Sequence, residues 1–96
     1  MIDRCEFVGF EASTHLSTRL KSLLNQILSI APSDSGVRTQ LVKDGSHFRG
    51  VWKLASVNGQ FEAEGESQTA EDLVESLYLQ MSEKLSIWEQ KRTHLA

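Results

Sequence analysis

The sequence contains one cysteine and one proline in 96 residues. A single thiol, Cys5, excludes an intramolecular disulfide, and the lack of a disulfide framework points to a reducing compartment, with the cytoplasm expected. No apolar run approaches the ~18 residues that a membrane-crossing helix needs. The opening Met-Ile-Asp-Arg-Cys-Glu carries charge where a secretory leader would be apolar, so neither export nor a membrane is expected. A basic surplus is also missing. The formal charge of −3 argues against nucleic-acid binding through bulk electrostatics alone.

Sites with recognisable chemistry are equally scarce. His15, His47 and His94 have no His or Cys neighbour at a metal-ligand spacing, so no metal is expected. Neither G-x-x-x-x-G-K nor G-x-G-x-x-G occurs, which removes the common phosphate cradles and gives no reason to expect a cofactor. Cys5 stands in no nucleophile signature and reads as a small buried or half-buried thiol. The chain is expected not to be an enzyme.

What is present suits one globular domain over residues 1–96. The composition is 40% apolar and 24% charged, and this length has room for one hydrophobic core. Phe7, Val8 and Phe10 mark a first strand over Cys5 to Phe10, followed by Ser13 as a helix N-cap. From Leu16, the apolar Leu20, Leu23, Leu24, Ile27 and Leu28 recur at helical steps, and Pro32 sets the helix end near Ile30. Ser33-Asp34-Ser35-Gly36 supplies a turn.

Three alternating segments follow. Val37, Thr39 and Leu41 alternate with Arg38, Gln40 and Val42. Asp44-Gly45 then predicts a type I′ hairpin turn. The next strand, His47 to Ala55, sets Phe48, Gly50, Trp52 and Leu54 against Arg49, Val51 and Lys53. Asn58-Gly59 repeats the turn signal, and Phe61, Ala63 and Gly65 alternate with Gln60, Glu62, Glu64 and Glu66. Thr69 with Asp72 resembles a capping box that opens a last helix, whose stripe is Leu73 or Val74, Leu77, Met81, Leu85 and Trp88. The expected fold class is therefore α+β, in the order β-α-β-β-β-α. A right-handed crossover brings the first strand into a four-stranded sheet, and two helices pack on one face.

Charge is segregated along this chain. Residues 36–53 hold Arg38, Lys43, Arg49 and Lys53 against Asp44, a local net of +3, whereas residues 54–68 hold only Glu62, Glu64 and Glu66. Arg38, Arg49 and Lys53 are expected on the open sheet face, where phosphate contact and a solvated face balanced by glutamates are both open readings. The three glutamates read as an acidic strand face paired across strands with Arg49 and Lys53. Trp52 and Trp88 fall on apolar faces and read as core anchors. Leu79 and Ile87 lie off the helix stripe, which leaves a broad buried face or a partner surface open.

Several local runs carry a family resemblance. Ser13-Thr14-His15-Leu16 opens the first helix, and Val57-Asn58-Gly59-Gln60-Phe61-Glu62-Ala63-Glu64-Gly65 makes a turn and strand. Thr69-Ala70-Glu71-Asp72-Leu73-Val74-Glu75-Ser76-Leu77, continued by Met81 to Lys91, forms the last helix. Over nearly its whole length the chain resembles the short ribosome hibernation promoting factors, also called ribosome-associated inhibitors or sigma-54 modulation proteins. The resemblance implies a β-α-β-β-β-α domain similar in appearance to double-stranded RNA-binding domains. It further implies a translation inhibitor of the stress-response, hibernation type, which acts by steric occupancy of the RNA-binding region of the small ribosomal subunit. On that reading Arg19, Lys21, Arg38, Lys43, Arg49, Lys53, Lys84, Lys91 and Arg92 are the candidate contacts to ribosomal RNA. The alternative is a protein-interaction or homodimerisation module on the same fold, using the acidic strand and the Leu79 and Ile87 flank.

Overall fold

In the computed structural model, residues 2–31, 34–57 and 59–95 are described, with side chains described within 5–31, 34–57 and 59–91. Their order is β1 (Ile2–Val8), α1 (Thr14–Ile30), β2 (Gly36–Asp44), β3 (His47–Ser56), β4 (Gly59–Ser67) and α2 (Ala70–Leu95). This is the α+β order expected from the apolar periodicities. The expected first strand was Cys5 to Phe10, but β1 runs earlier and stops at Val8. Gly9 adopts φ +82°, a left-handed conformation that breaks the extended backbone, and Phe10 turns onto Phe7 and Phe48 in edge-to-face contacts.

The strands form one sheet in the order β1-β2-β3-β4, with β1 parallel to β2 and the remaining pairs antiparallel. The first hairpin differs from expectation. Asp44 pairs with His47, so the two loop residues are Gly45 and Ser46, not Asp44 and Gly45. Only Gly45 has positive φ, at +65°, which is the type II′ arrangement with glycine at the first central position. Register, set by apolar alternation along β2 and β3, overrides the dipeptide preference. Ser56 pairs with Gly59 across the second hairpin. Asn58 of the expected Asn58-Gly59 turn lies outside the described residues, as do Pro32 and Ser33.

Both helices start as their caps require. Ser13 Oγ accepts from the Leu16 backbone N–H at 3.0 Å, and Thr69 Oγ1 accepts from the Asp72 N–H at 3.1 Å. Glu71 and Asp72 sit in the first turn of α2, at the positive end of its dipole. Because β1 and β4 run in the same direction and finish at the same end of the sheet, both helices start there and run back side by side. Arg19 Nε donates to Glu75 Oε1 at 2.7 Å and Tyr78 Oη donates to Gln26 Oε1 at 3.1 Å across their seam.

One face of the sheet takes both apolar stripes. Leu16, Leu20, Leu23, Leu24 and Ile27 of α1 and Leu73, Val74, Leu77, Met81 and Leu85 of α2 share one core with Val37, Leu41, Trp52, Leu54 and Ala63. Trp52 is completely buried at its centre, whereas Trp88 is half-buried and meets Phe61 edge-to-face. Gly50 makes room here. A Cβ at that position would stand 2.6 Å from Leu41 Cδ2 and 3.1 Å from both Leu73 Cδ2 and Leu77 Cδ1, so a missing side chain lets α2 settle onto β3. The 26 residues of α2 span about 39 Å at ~1.5 Å per residue, more than a nine-residue strand covers. With Trp88 level with Phe61, near the start of β4, the last turns run past the sheet, and the molecule extends 47 × 20 × 19 Å.

Candidate nucleic-acid interface

The strand register converts alternation into rows of side chains on the open sheet face. One row joins Arg38 of β2, Lys53 of β3 and Glu62 of β4. The next joins Gln40, Val51 and Glu64, and a third joins Val42, Arg49 and Glu66. The open face is thus cationic over β2 and β3 and acidic along β4. The expected placement of Arg38, Arg49 and Lys53 on this face holds, and Arg49 and Lys53 stand in register opposite Glu66 and Glu62 as expected.

The remaining candidates lie elsewhere. Lys43, at the hairpin end, shares the face of Phe48 and places its Nζ 6.0 Å from that ring centroid. Arg19 and Lys21 are exposed on α1, and Lys84 and Lys91 are exposed on α2. The side chain of Arg92 lies outside those described, as does His94. The structure therefore brings Arg38, Lys53 and Arg49 together on the sheet and distributes the other described cations over the helix layer and the hairpin end.

Pairing separates these cations more sharply than position does. Arg19 is held by Glu75, whose hydrogen bond pushes the guanidinium up from its ordinary value. Arg49 Nη1 reaches Asp44 Oδ2 at 3.3 Å. Lys84 Nζ donates to the backbone carbonyl of Glu62, and four residues earlier Gln80 Nε2 donates to that of Glu64 at 3.0 Å. The two-residue hairpins fix the ladder phase so that both carbonyls point away from β3, toward the free edge of β4. Lys84 and Gln80 cap that edge and block further strand pairing. Arg38, Lys53, Lys21 and Lys91 take part in no ion pair among the described residues.

The contacts made by Glu75, Gln80 and Asp34 were not expected from the sequence. Glu75 and Gln80 are ordinary exposed helix polars by spacing, and their partners lie 56 and 16 residues away. Asp34 accepts the Val57 N–H at 2.7 Å, tying the α1–β2 connection to the second hairpin. No local pattern announces such contacts.

Burial pushes the Cys5 thiol up, an effect that the nearby Lys21 only partly offsets, which keeps the weaker nucleophilic form dominant at neutral pH. Among the described residues no three His, Cys, Asp or Glu side chains are grouped to hold a metal ion. No described helix is long and apolar enough to cross a membrane.

Solved structures share this architecture. A ribosomal subunit interface protein from Coxiella burnetii superposes with a TM-score of 0.79 at 15% identity, over 94% of this chain and 99% of that one. The N-terminal domain of Protein Y from Thermus thermophilus gives a TM-score of 0.65 at 14% identity, over 83% of this chain and 93% of that one. Both are hibernation-factor family members, the group that the helix and hairpin runs resemble. The chain has their fold. No protein-family model matches the sequence, and no curated protein matches it.

Proposed function

We propose that this chain is a cytoplasmic, ribosome-associated factor that inhibits translation by occupying the RNA-binding region of the small subunit. The observation that carries this reading is the likeness to the Coxiella ribosomal subunit interface protein, which takes in 99% of that chain. The match thus spans nearly the whole of that solved chain. Cations over β2 and β3 that lack internal partners give the surface a means of meeting phosphate. The mechanism makes and breaks no bond: a rigid body 47 Å long is held by charge where messenger and transfer RNAs would lie.

Sedimentation with purified small subunits tests this reading. Co-migration at low salt that falls steeply as salt rises is the expected result, because each neutralised phosphate releases a counterion. Absence of co-migration at low salt contradicts it. A second reading, homodimerisation or docking of another protein, draws on Leu79 and Ile87, which are 65% and 46% exposed on the outer flank of α2. Light scattering separates the two, since that reading requires a mass above the 10.8 kDa monomer or a captured protein partner.

A further inference from the structure

Across the open face, opposite charges face each other at one end and like charges at the other. Arg49 stands opposite Glu66 and reaches Asp44. Arg38, by contrast, stands directly opposite Lys53 of β3 in register, so two cationic residues face each other across adjacent strands. Like charges directly opposite destabilise a sheet. Lys53 also faces Glu62 of β4, yet neither Arg38 nor Lys53 is in an ion pair among the described residues. The two line a hollow at the sheet end together with Asp34, Ser35, Gln60 and Glu62.

We propose that Arg38 and Lys53 form a two-pronged subsite for a single phosphodiester of RNA, and that Arg19, Arg49 and Lys84 serve the fold instead. The ladder phase makes Arg38 and Lys53 a hydrogen-bonded pair, whose Cα atoms lie about 5.5 Å apart. Their two heads can therefore converge on one phosphate. The guanidinium offers a planar fork of donors and the ammonium a compact charge. An anion seated there removes the repulsion that the empty pair carries, so folding and binding are linked. This deepens the ribosomal reading and relies on it only for the natural occupant of the subsite.

The test uses oligouridylate in phosphate-free, low-salt buffer with the full chain and with Arg38→Gln, Lys53→Gln and Arg49→Gln. Arg38→Gln and Lys53→Gln are expected to weaken oligouridylate binding roughly tenfold each and to lower the salt slope by about 0.7 per lost cation, with Arg49→Gln near wild type. In the absence of RNA, Arg38→Gln is expected to raise Tm by about 1–4 °C, whereas a merely structural arginine would lower it. Oligouridylate in turn should raise the Tm of wild type and not that of Arg38→Gln. No binding by wild type, equal loss in all three variants, or a lowered Tm for Arg38→Gln overturns the subsite. The same variants sedimented with small subunits keep the two claims apart. Subunit binding indifferent to Arg38 and Lys53 overturns the subsite while the ribosomal reading stands, and oligouridylate binding without subunit binding does the reverse.

Discussion

The two faces of this sheet are built from the same four strands by opposite rules. On the inner face every position is constrained by what lies against it: Trp52 fills the centre, Gly50 yields to three leucines, and Leu41 and Leu54 close the flanks. On the open face the neighbours are cross-strand charges in rows, and the rows differ in how well they are balanced. Stability is thus concentrated on one side of a single layer. The other side is free to carry charge arrangements that contribute little to folding, or that oppose it.

Substitutions that test this contrast fall in a clear order. Trp52→Ala empties the middle of the core and is expected to cost about 3–5 kcal/mol in denaturant unfolding; a cost below ~1 kcal/mol would mean that the inner face is not the source of stability. Gly50→Ala forces a methyl group against Leu41, Leu73 and Leu77 and is expected to cost about 1–3 kcal/mol. Gly65→Ala is its control: a Cβ there meets Gln80 Nε2 at 3.5 Å and Leu73 Cδ1 and Ser76 Oγ at 4.0 Å, ordinary contact distances. Its effect should be near zero or slightly stabilising, since alanine loses less backbone entropy on folding. An equal cost at both glycines would remove the close approach of α2 as the explanation.

Thr69→Ala deletes the acceptor of the Asp72 N–H and is expected to cost about 1 kcal/mol, seen as a lower thermal midpoint. The smallest change belongs to the open face. Arg49→Gln breaks an exposed pair with Asp44 and is expected to cost at most about 0.5 kcal/mol, fading as salt is added. A large, salt-insensitive loss there would blur the distinction between the faces.

Element order, both helix caps and nearly all of the buried stripe were legible from periodicity, because 3.6-residue and two-residue repeats are imposed by burial itself. Three features escaped. The end of β1 is set by the conformation of Gly9, which a run of Phe7, Val8 and Phe10 does not reveal. The type II′ turn at Gly45-Ser46 follows from the register of whole strands, which outweighed the local preference of Asp44-Gly45. In the candidate interface, alternation correctly assigned Arg38, Arg49 and Lys53 to the open face. It could not show that Arg49 is engaged and Arg38 and Lys53 are not. That difference depends on which charges stand nearby in the folded sheet, and the reach of Lys84 and Gln80 from α2 to the edge of β4 was equally hidden. Long-range polar contacts have no period to read.

Lysine acetylation footprinting, with and without purified small subunits, tests most directly whether the open face is the one that meets RNA. Lys53 should lose reactivity when subunits are present, while Lys84, already donating to the carbonyl of Glu62, should change little. Protection of Lys84 with Lys53 left fully reactive would place the contact on the helix side and contradict the account.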